Sequence, residues 1–229
     1  MGRRLFIERA SPRKDLSLKA IYNKLYFFYG PQHWWPGETP FEIAVGAILT
    51  QNTNWINVEK AIANLRSNGV LSAKALHELH LTELASLIRP SGYYNLKAKR
   101  LRALIDFLMD RYEGSLRQMQ KGETGTLRTE LLSVNGIGQE TADSILLYAL
   151  DKPVFVIDAY TKRVLSRHGI MEINGSYQEY QEIFHRVFVE DVRLFNEYHA
   201  LLVRLGKDYC RPQPRCSDCP LAKKRTNEL

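Results

Sequence analysis

Cysteine is scarce in this chain: 229 residues hold three, Cys210, Cys216 and Cys219, all beyond residue 209. An odd, clustered set with one Cys-x-x-Cys spacing excludes the disulfide framework of a small secreted domain and reads better as metal ligation. Long apolar runs are missing as well. No stretch reaches the roughly 18 residues a membrane helix needs, so no membrane association is expected. The basic N-terminal segment MGRRLFIERASPRKD lacks the apolar core of a signal peptide. The expectation is a cytoplasmic monomer, associated with the nucleoid in a bacterium or archaeon. There is no low-complexity linker and no internal repeat. Alternating strand patterns hardly occur; VFVID at 154–158 is the one tempting run, and it is too short to build a sheet.

What is present is enough apolar material, 45% of residues, for a core in one domain or two small ones. Lysine and arginine outnumber aspartate and glutamate by 32 to 25, a net charge of +7. Such a balance favours a polyanionic partner, of which nucleic acid is the commonest soluble kind. Apolar spacing is helical nearly everywhere. Leu101, Leu104, Ile105, Leu108, Met109 and Tyr112 follow one buried face, and Leu84, Leu87 and Ile88 repeat it on a shorter segment. Thr39-Pro40-Phe41-Glu42 combines a capping box with proline at the first helical position, and Ser176 with Glu179 forms a second box. Asn68-Gly69 and Ser91-Gly92 read as helix stops. The class is all-α.

Between two helical patterns lies Leu132-Ser133-Val134-Asn135-Gly136-Ile137-Gly138. Its two glycines permit a tight turn and the close approach of another backbone. Ile137 can plug the core beneath the turn. The second helix then starts near Gln139, and its unsatisfied N–H groups with the helix dipole suit a phosphate. Carbonyls of Leu132, Val134 and Ile137 could converge on a monovalent cation, K+ or Na+. A Gly-x-Gly between helices is equally an ordinary helix corner.

With its flanks the segment becomes specific. LLSVNGIGQETADSILLYAL followed by VFVIDAYTKRVLSR resembles the helix-hairpin-helix and Gly/Pro-Asp signature of the endonuclease III superfamily of DNA glycosylases. FEIAVGAILTQNTNWINVEKAIANL resembles that superfamily's early helix pair, and SGYYNLKAKRL its wedge loop. The match runs from about residue 20 to 219 in consistent order. Trp34-Trp35-Pro36, Thr50-Gln51-Asn52-Thr53 and Trp55 are similar to the 3-methyladenine glycosylases of the superfamily.

The resemblance implies a base excision enzyme acting on double-stranded DNA with a damaged base, which must be flipped out of the stack before its glycosidic bond can be reached. It implies that Asp158 is catalytic. A fixed carboxylate stabilises the positive charge that builds on the sugar as the base leaves. Read alone, Asp158 is also a good N-cap for AYTKRVLSR. The resemblance further implies that Gln51, with Asn52 beside it, fills the gap left by the flipped base. Tyr93 stands where many relatives carry an apolar wedge. Asn135, Gly136, Ile137, Gly138, Gln139 and Thr141 would meet the DNA backbone. Trp34, Trp35, Pro36 and Trp55 would line a base pocket suited to a cationic alkylated purine, with Lys207 near it. Lys97, Lys99 and Arg100 could pair with phosphates.

Glu140 occupies the position where the family's glycosylase/lyases carry the lysine that forms a Schiff base. A carboxylate cannot form one, so a monofunctional glycosylase is expected. Rival readings are a glycosylase for another base (an oxidised pyrimidine, or a mismatched adenine or thymine) and a non-catalytic helix-hairpin-helix DNA-binding module.

Cys210-x5-Cys216-x2-Cys219 resembles the loop that holds a [4Fe–4S] cluster in the superfamily. The fourth cysteine would fall near residue 225, which is Arg225. Three arrangements stay open: a three-cysteine 4Fe-4S cluster with an outside ligand, a zinc site with a non-cysteine ligand, or a loop that has lost its cluster. Some 3-methyladenine-type relatives work without one. The expected architecture is two helical lobes, residues 31–152 and residues 1–30 plus 153–229, with DNA crossing the cleft where Asp158 would lie.

Overall fold

The segment Pro40–Leu49 has no polar face: Ile43, Ala44, Val45, Ala47, Ile48 and Leu49 are all buried. A helix apolar all round must be enclosed by others. In the computed structural model, which describes residues 16–34 and 37–222, it is the helix around which one part of the chain is built. In chain order the helices are α1 (Leu18–Tyr29), α2 (Pro40–Leu49), α3 (Trp55–Ser67), α4 (Ala73–Glu78), α5 (Leu81–Leu87), α6 (Tyr94–Tyr112), α7 (Leu116–Met119), α8 (Thr124–Ser133), α9 (Gln139–Ser144), α10 (Ala159–Arg167), α11 (Tyr177–Val187) and α12 (Val192–Asp208). A 3₁₀ turn sits at Arg89–Ser91 and a π turn at Ile145–Ala149. Among the described residues there is no strand. Val154, Phe155, Val156 and Ile157 are buried without forming a strand. The protein is all-α, as its periodicity predicts.

The chain divides into two compact bodies. The first comprises residues 33–156 and 190–196. There Pro40 lies in the first turn of α2 and Thr39 Oγ1 accepts from the Glu42 N–H at 3.1 Å, half of the predicted capping box; the Glu42 carboxylate turns to Arg66 instead of the Thr39 N–H. Gly46 lets α3 lie close: a Cβ at Gly46 would stand 3.3 Å from Trp55 Cη2. The buried Glu42 is neutralised from α3 by Arg66 at 2.6 Å. α6 buries Leu101, Leu104, Ile105 and Leu108 as predicted, and the same stripe starts one turn earlier at Lys97, which is 1% exposed. α8 and α9 are tied by Arg128, whose Nε and Nη2 donate to the fully buried Asp143 carboxylate at 2.7 and 3.1 Å.

The second body comprises the described part of residues 1–32 with 157–189 and 197–222. Its core is aromatic. Tyr198 meets Tyr22, Phe184 and Phe188 edge-on at centroid distances of 5.2, 5.4 and 5.6 Å, a favoured aromatic geometry. Its buried hydroxyl donates to the Leu18 carbonyl at 2.8 Å. The Ser176–Glu179 capping box forms in both directions, at 3.2 and 2.7 Å. Gly206 of α12 lies against α10; a Cβ there would be 2.3 Å from Tyr160 Cδ1.

Candidate active site

The hairpin is a turn between α8 and α9. The Val134 N–H donates to Leu131 O and the Ile137 N–H to Val134 O, both at 3.1 Å, while the Val134 and Ile137 side chains are buried beneath it. Gly136 is required twice over. Its φ of +88° is left-handed, and a Cβ would sit 2.2 Å from Arg100 Cγ. Gly138 is extended, faces open space, and caps α9 without any side-chain cap. The amides that begin α9 are therefore not taken up by a side-chain cap. Asn135, Gln139 and Glu140 are exposed around the turn, and Thr141 is buried. Of the three carbonyls considered for a monovalent cation, on Leu132, Val134 and Ile137, that of Val134 accepts the Ile137 N–H.

α2 delivers Gln51 to this hairpin. Gln51 Nε2 donates to Gly136 O at 3.1 Å and to Thr141 Oγ1 at 3.0 Å, and Arg100 Nη1 donates to Gln51 Oε1 at 2.5 Å. Ala47, Thr50, Gln51, Asn52, Arg100 and the hairpin line an open cleft of about 490 Å³. Asn52 is exposed with φ +54°, a conformation that asparagine tolerates better than most residues. The end of α2 is held by Lys97, which is not a surface phosphate contact. Its Nζ donates to Leu49 O at 2.8 Å and Ser91 O at 2.6 Å, and burial pulls its pKa down to about 8. The physical reason is its place on the buried stripe of α6. Of the three residues expected to pair with phosphates, Lys97, Lys99 and Arg100, only Lys99 is exposed.

Tyr93 opens α6 in a left-handed conformation, φ +45°, and is 71% exposed. Its ring is thus held in solvent on a backbone conformation that non-glycine residues seldom adopt. Trp34 is half-buried, with its ring 5.8 Å from that of Tyr148 in the π turn. Trp55 packs on Gly46. Trp35 and Pro36 lie outside the described residues. Lys207 is exposed at the end of α12, where its carbonyl accepts from Arg211 Nε at 2.6 Å.

In the second body Asp158 caps α10, its Oδ1 accepting the Thr161 N–H at 2.7 Å. His199 Nε2 approaches Oδ2 at 3.6 Å, an ion-pair distance. Burial pushes the Asp158 carboxyl up. The nearby His199 imidazole and the Thr161 N–H outweigh it, leaving the pKa below the ordinary value of 3.8. The group is thus a buried anion at neutral pH.

The cysteines are unevenly placed, Cys210 buried, Cys216 exposed and Cys219 between. Arg167 Nη1 donates to Cys210 Sγ at 3.4 Å and to Arg211 O at 2.6 Å. Burial pushes the Cys219 thiol up. Among the described residues no three or more His, Cys, Asp or Glu are gathered for a metal ion, and Arg225 lies outside them. The set does not fit a four-thiolate cluster.

Sequence reasoning missed His199. Its signal is a lone imidazole in the stripe Phe195, Tyr198, Leu202 and Leu205 of α12, all buried. It also missed that Arg100 meets Gln51.

A family model for the HhH-GPD superfamily base excision DNA repair protein matches residues 45–189, which include the hairpin and Asp158. A Methanocaldococcus jannaschii protein described as a candidate DNA repair glycosylase is 49% identical over 203 residues, 88% of this chain and 92% of its own. Endonuclease III of Thermotoga maritima is 28% identical over 181 residues, 79% of each chain. Among solved structures, the H. pylori 3-methyladenine DNA glycosylase MagIII bound to 1,N6-ethenoadenine is 32% identical with a TM-score of 0.71, covering 83% of this chain and 95% of that one. The chain therefore belongs to the HhH-GPD superfamily of base excision DNA repair proteins, among its endonuclease III-like DNA glycosylases.

Proposed function

We propose that this glycosylase is monofunctional and releases an alkylated purine such as 3-methyladenine from double-stranded DNA. The observation that carries the reading is Asp158, a carboxylate kept charged despite burial. As the C1′–N bond breaks, its electron pair leaves with the base, which turns from cation to neutral molecule. The sugar is left oxocarbenium-like, and the Asp158 charge stabilises it. Water then adds at C1′ and gives up a proton, for which the carboxylate is the available acceptor. A cationic base leaves readily and needs little acid. Trp34, beside Tyr148, offers the aromatic surface such a base favours. The likeness to MagIII supports a purine substrate. Glu140, where the lyases carry lysine, supports hydrolysis without a Schiff base. Gln51 is read as the gap-filler, Tyr93 as the wedge, and the hairpin as the backbone grip.

The test is base release from duplexes carrying alkylated purines, oxidised pyrimidines or mismatches. Asp158→Asn removes the charge but keeps the cap, since asparagine caps a helix as well as aspartate does. The expected result is release of alkylated purine by wild type and a fall of about 10²–10³-fold in the variant, with no adduct trapped by borohydride. Equal release by both proteins would refute the role of Asp158. A trapped adduct would refute the monofunctional mechanism, and release from another lesion alone would replace the substrate.

A further inference from the structure

Gln51 is not a side chain waiting in solvent. Its amide makes three hydrogen bonds, and the partners fix which way round it points. A guanidinium can only donate, so Oε1 must face Arg100. A backbone carbonyl can only accept, so Nε2 must face Gly136. The second Nε2 proton reaches Thr141, on the first turn of α9. Two of the three partners therefore belong to the hairpin, and the third, Arg100, comes from α6. The stem of Arg100 lies over the Gly136 backbone, where a Cβ would come within 2.2 Å of its Cγ. The glycine removes the obstacle that would otherwise lift the guanidinium off Gln51.

We propose that Arg100 is a positioning residue for Gln51. It holds the glutamine amide to the hairpin, so that the gap-filling side chain and the turn that grips the DNA backbone arrive on the duplex as one rigid piece. This rests on the reading of Gln51 as the gap-filler. Without Arg100 the glutamine retains its backbone link but loses the contact that orients its oxygen, and must be ordered anew at each encounter. That ordering cost falls on the flipped state alone. A plain phosphate contact by Arg100 would instead strengthen binding to every duplex and add about one to its salt slope.

The two roles separate in a binding experiment that needs no catalysis. The affinity of full-length protein is measured for a duplex with a tetrahydrofuran abasic analogue and for the same duplex undamaged. The proteins are wild type, Gln51→Ala, Arg100→Met and the double variant. Methionine keeps the stem over Gly136, and thermal melts confirm folding. The expected result is that each single variant lowers the preference for the abasic duplex by about tenfold, the double variant lowers it no further, and binding to undamaged DNA keeps its affinity and salt slope. Multiplicative losses in the double variant, a lowered salt slope for Arg100→Met, or no loss from Gln51→Ala would each overturn the proposal. Base release measured on the same proteins reports separately on the glycosylase reading: binding losses as expected with no release from any lesion would leave the positioning role intact and refute the function.

Discussion

His199 Nε2 stands 3.6 Å from Asp158 Oδ2, with the two side chains 6% and 12% exposed. The pair sets the pH behaviour of the candidate catalytic group. Burial raises the Asp158 pKa, and His199 is the foremost of the groups that bring it back below 3.8. A carboxyl with a depressed folded pKa contributes stability that is complete above its unfolded value and lost as pH falls through the folded one. His199→Phe fills the space but leaves only the Thr161 contact to offset burial, so the pKa rises. The expected outcome is that the acid limb of the base-release rate moves to higher pH in the variant, and that acid unfolding also begins at higher pH. An unmoved limb in a pH–rate profile would sink the idea.

Lys97 offers a test at the alkaline end of the pH range. Its folded pKa of about 8 lies below the ordinary 10.5. Between those values the unfolded chain binds more protons than the folded one, so this group makes stability rise with pH. The neutral amine still has the two protons needed for Leu49 O and Ser91 O. Lys97→Met should destabilise the protein by roughly 1–3 kcal/mol at neutral pH, the cost of leaving buried carbonyls without a donor. Its deficit should then widen as pH is raised from 7 to 10, measured by urea unfolding at each pH. A constant gap would contradict the buried-ammonium account.

The Arg128–Asp143 tie predicts unequal effects from its two halves. Asp143 is wholly buried, whereas Arg128 is 27% exposed and can turn to water. Arg128→Met takes the guanidinium away from a buried carboxylate and should cost about 3–5 kcal/mol. Asp143→Asn leaves an amide that still accepts, and should cost less, about 1–2 kcal/mol. Chemical denaturation of both variants would give the order; the reverse order would count against the tie as described.

Local features were the ones legible in the sequence. Thr39, Ser176 and Asp158 cap helices because each interaction spans three residues, within reach of a spacing rule. The hairpin was legible because a left-handed residue and a close approach both demand glycine at 136. The contacts that assemble the site were not. Gln51 meets residues 49, 85 and 90 positions away, and no periodicity reports such a distance. Lys97 reads as a phosphate contact by its charge, yet it stands four and seven residues before Leu101 and Leu104, and that spacing turns it inward. His199 hid for a similar reason, as a titratable group inside an apolar stripe.

α2 has no solvent face, and Gln51 follows directly at its end. Backbone amides enclosed in this way exchange with solvent only when a whole cooperative unit opens. The proposed gap-filling position, two residues beyond this helix, is thus expected to open with its body's core, whereas the exposed ring of Tyr93 is expected to relax on its own. Slow deuterium uptake through α2, beside faster uptake near residue 93, would separate a fixed reading head from an adjustable edge. Changes in lesion preference could then accumulate at that edge without loosening the mount.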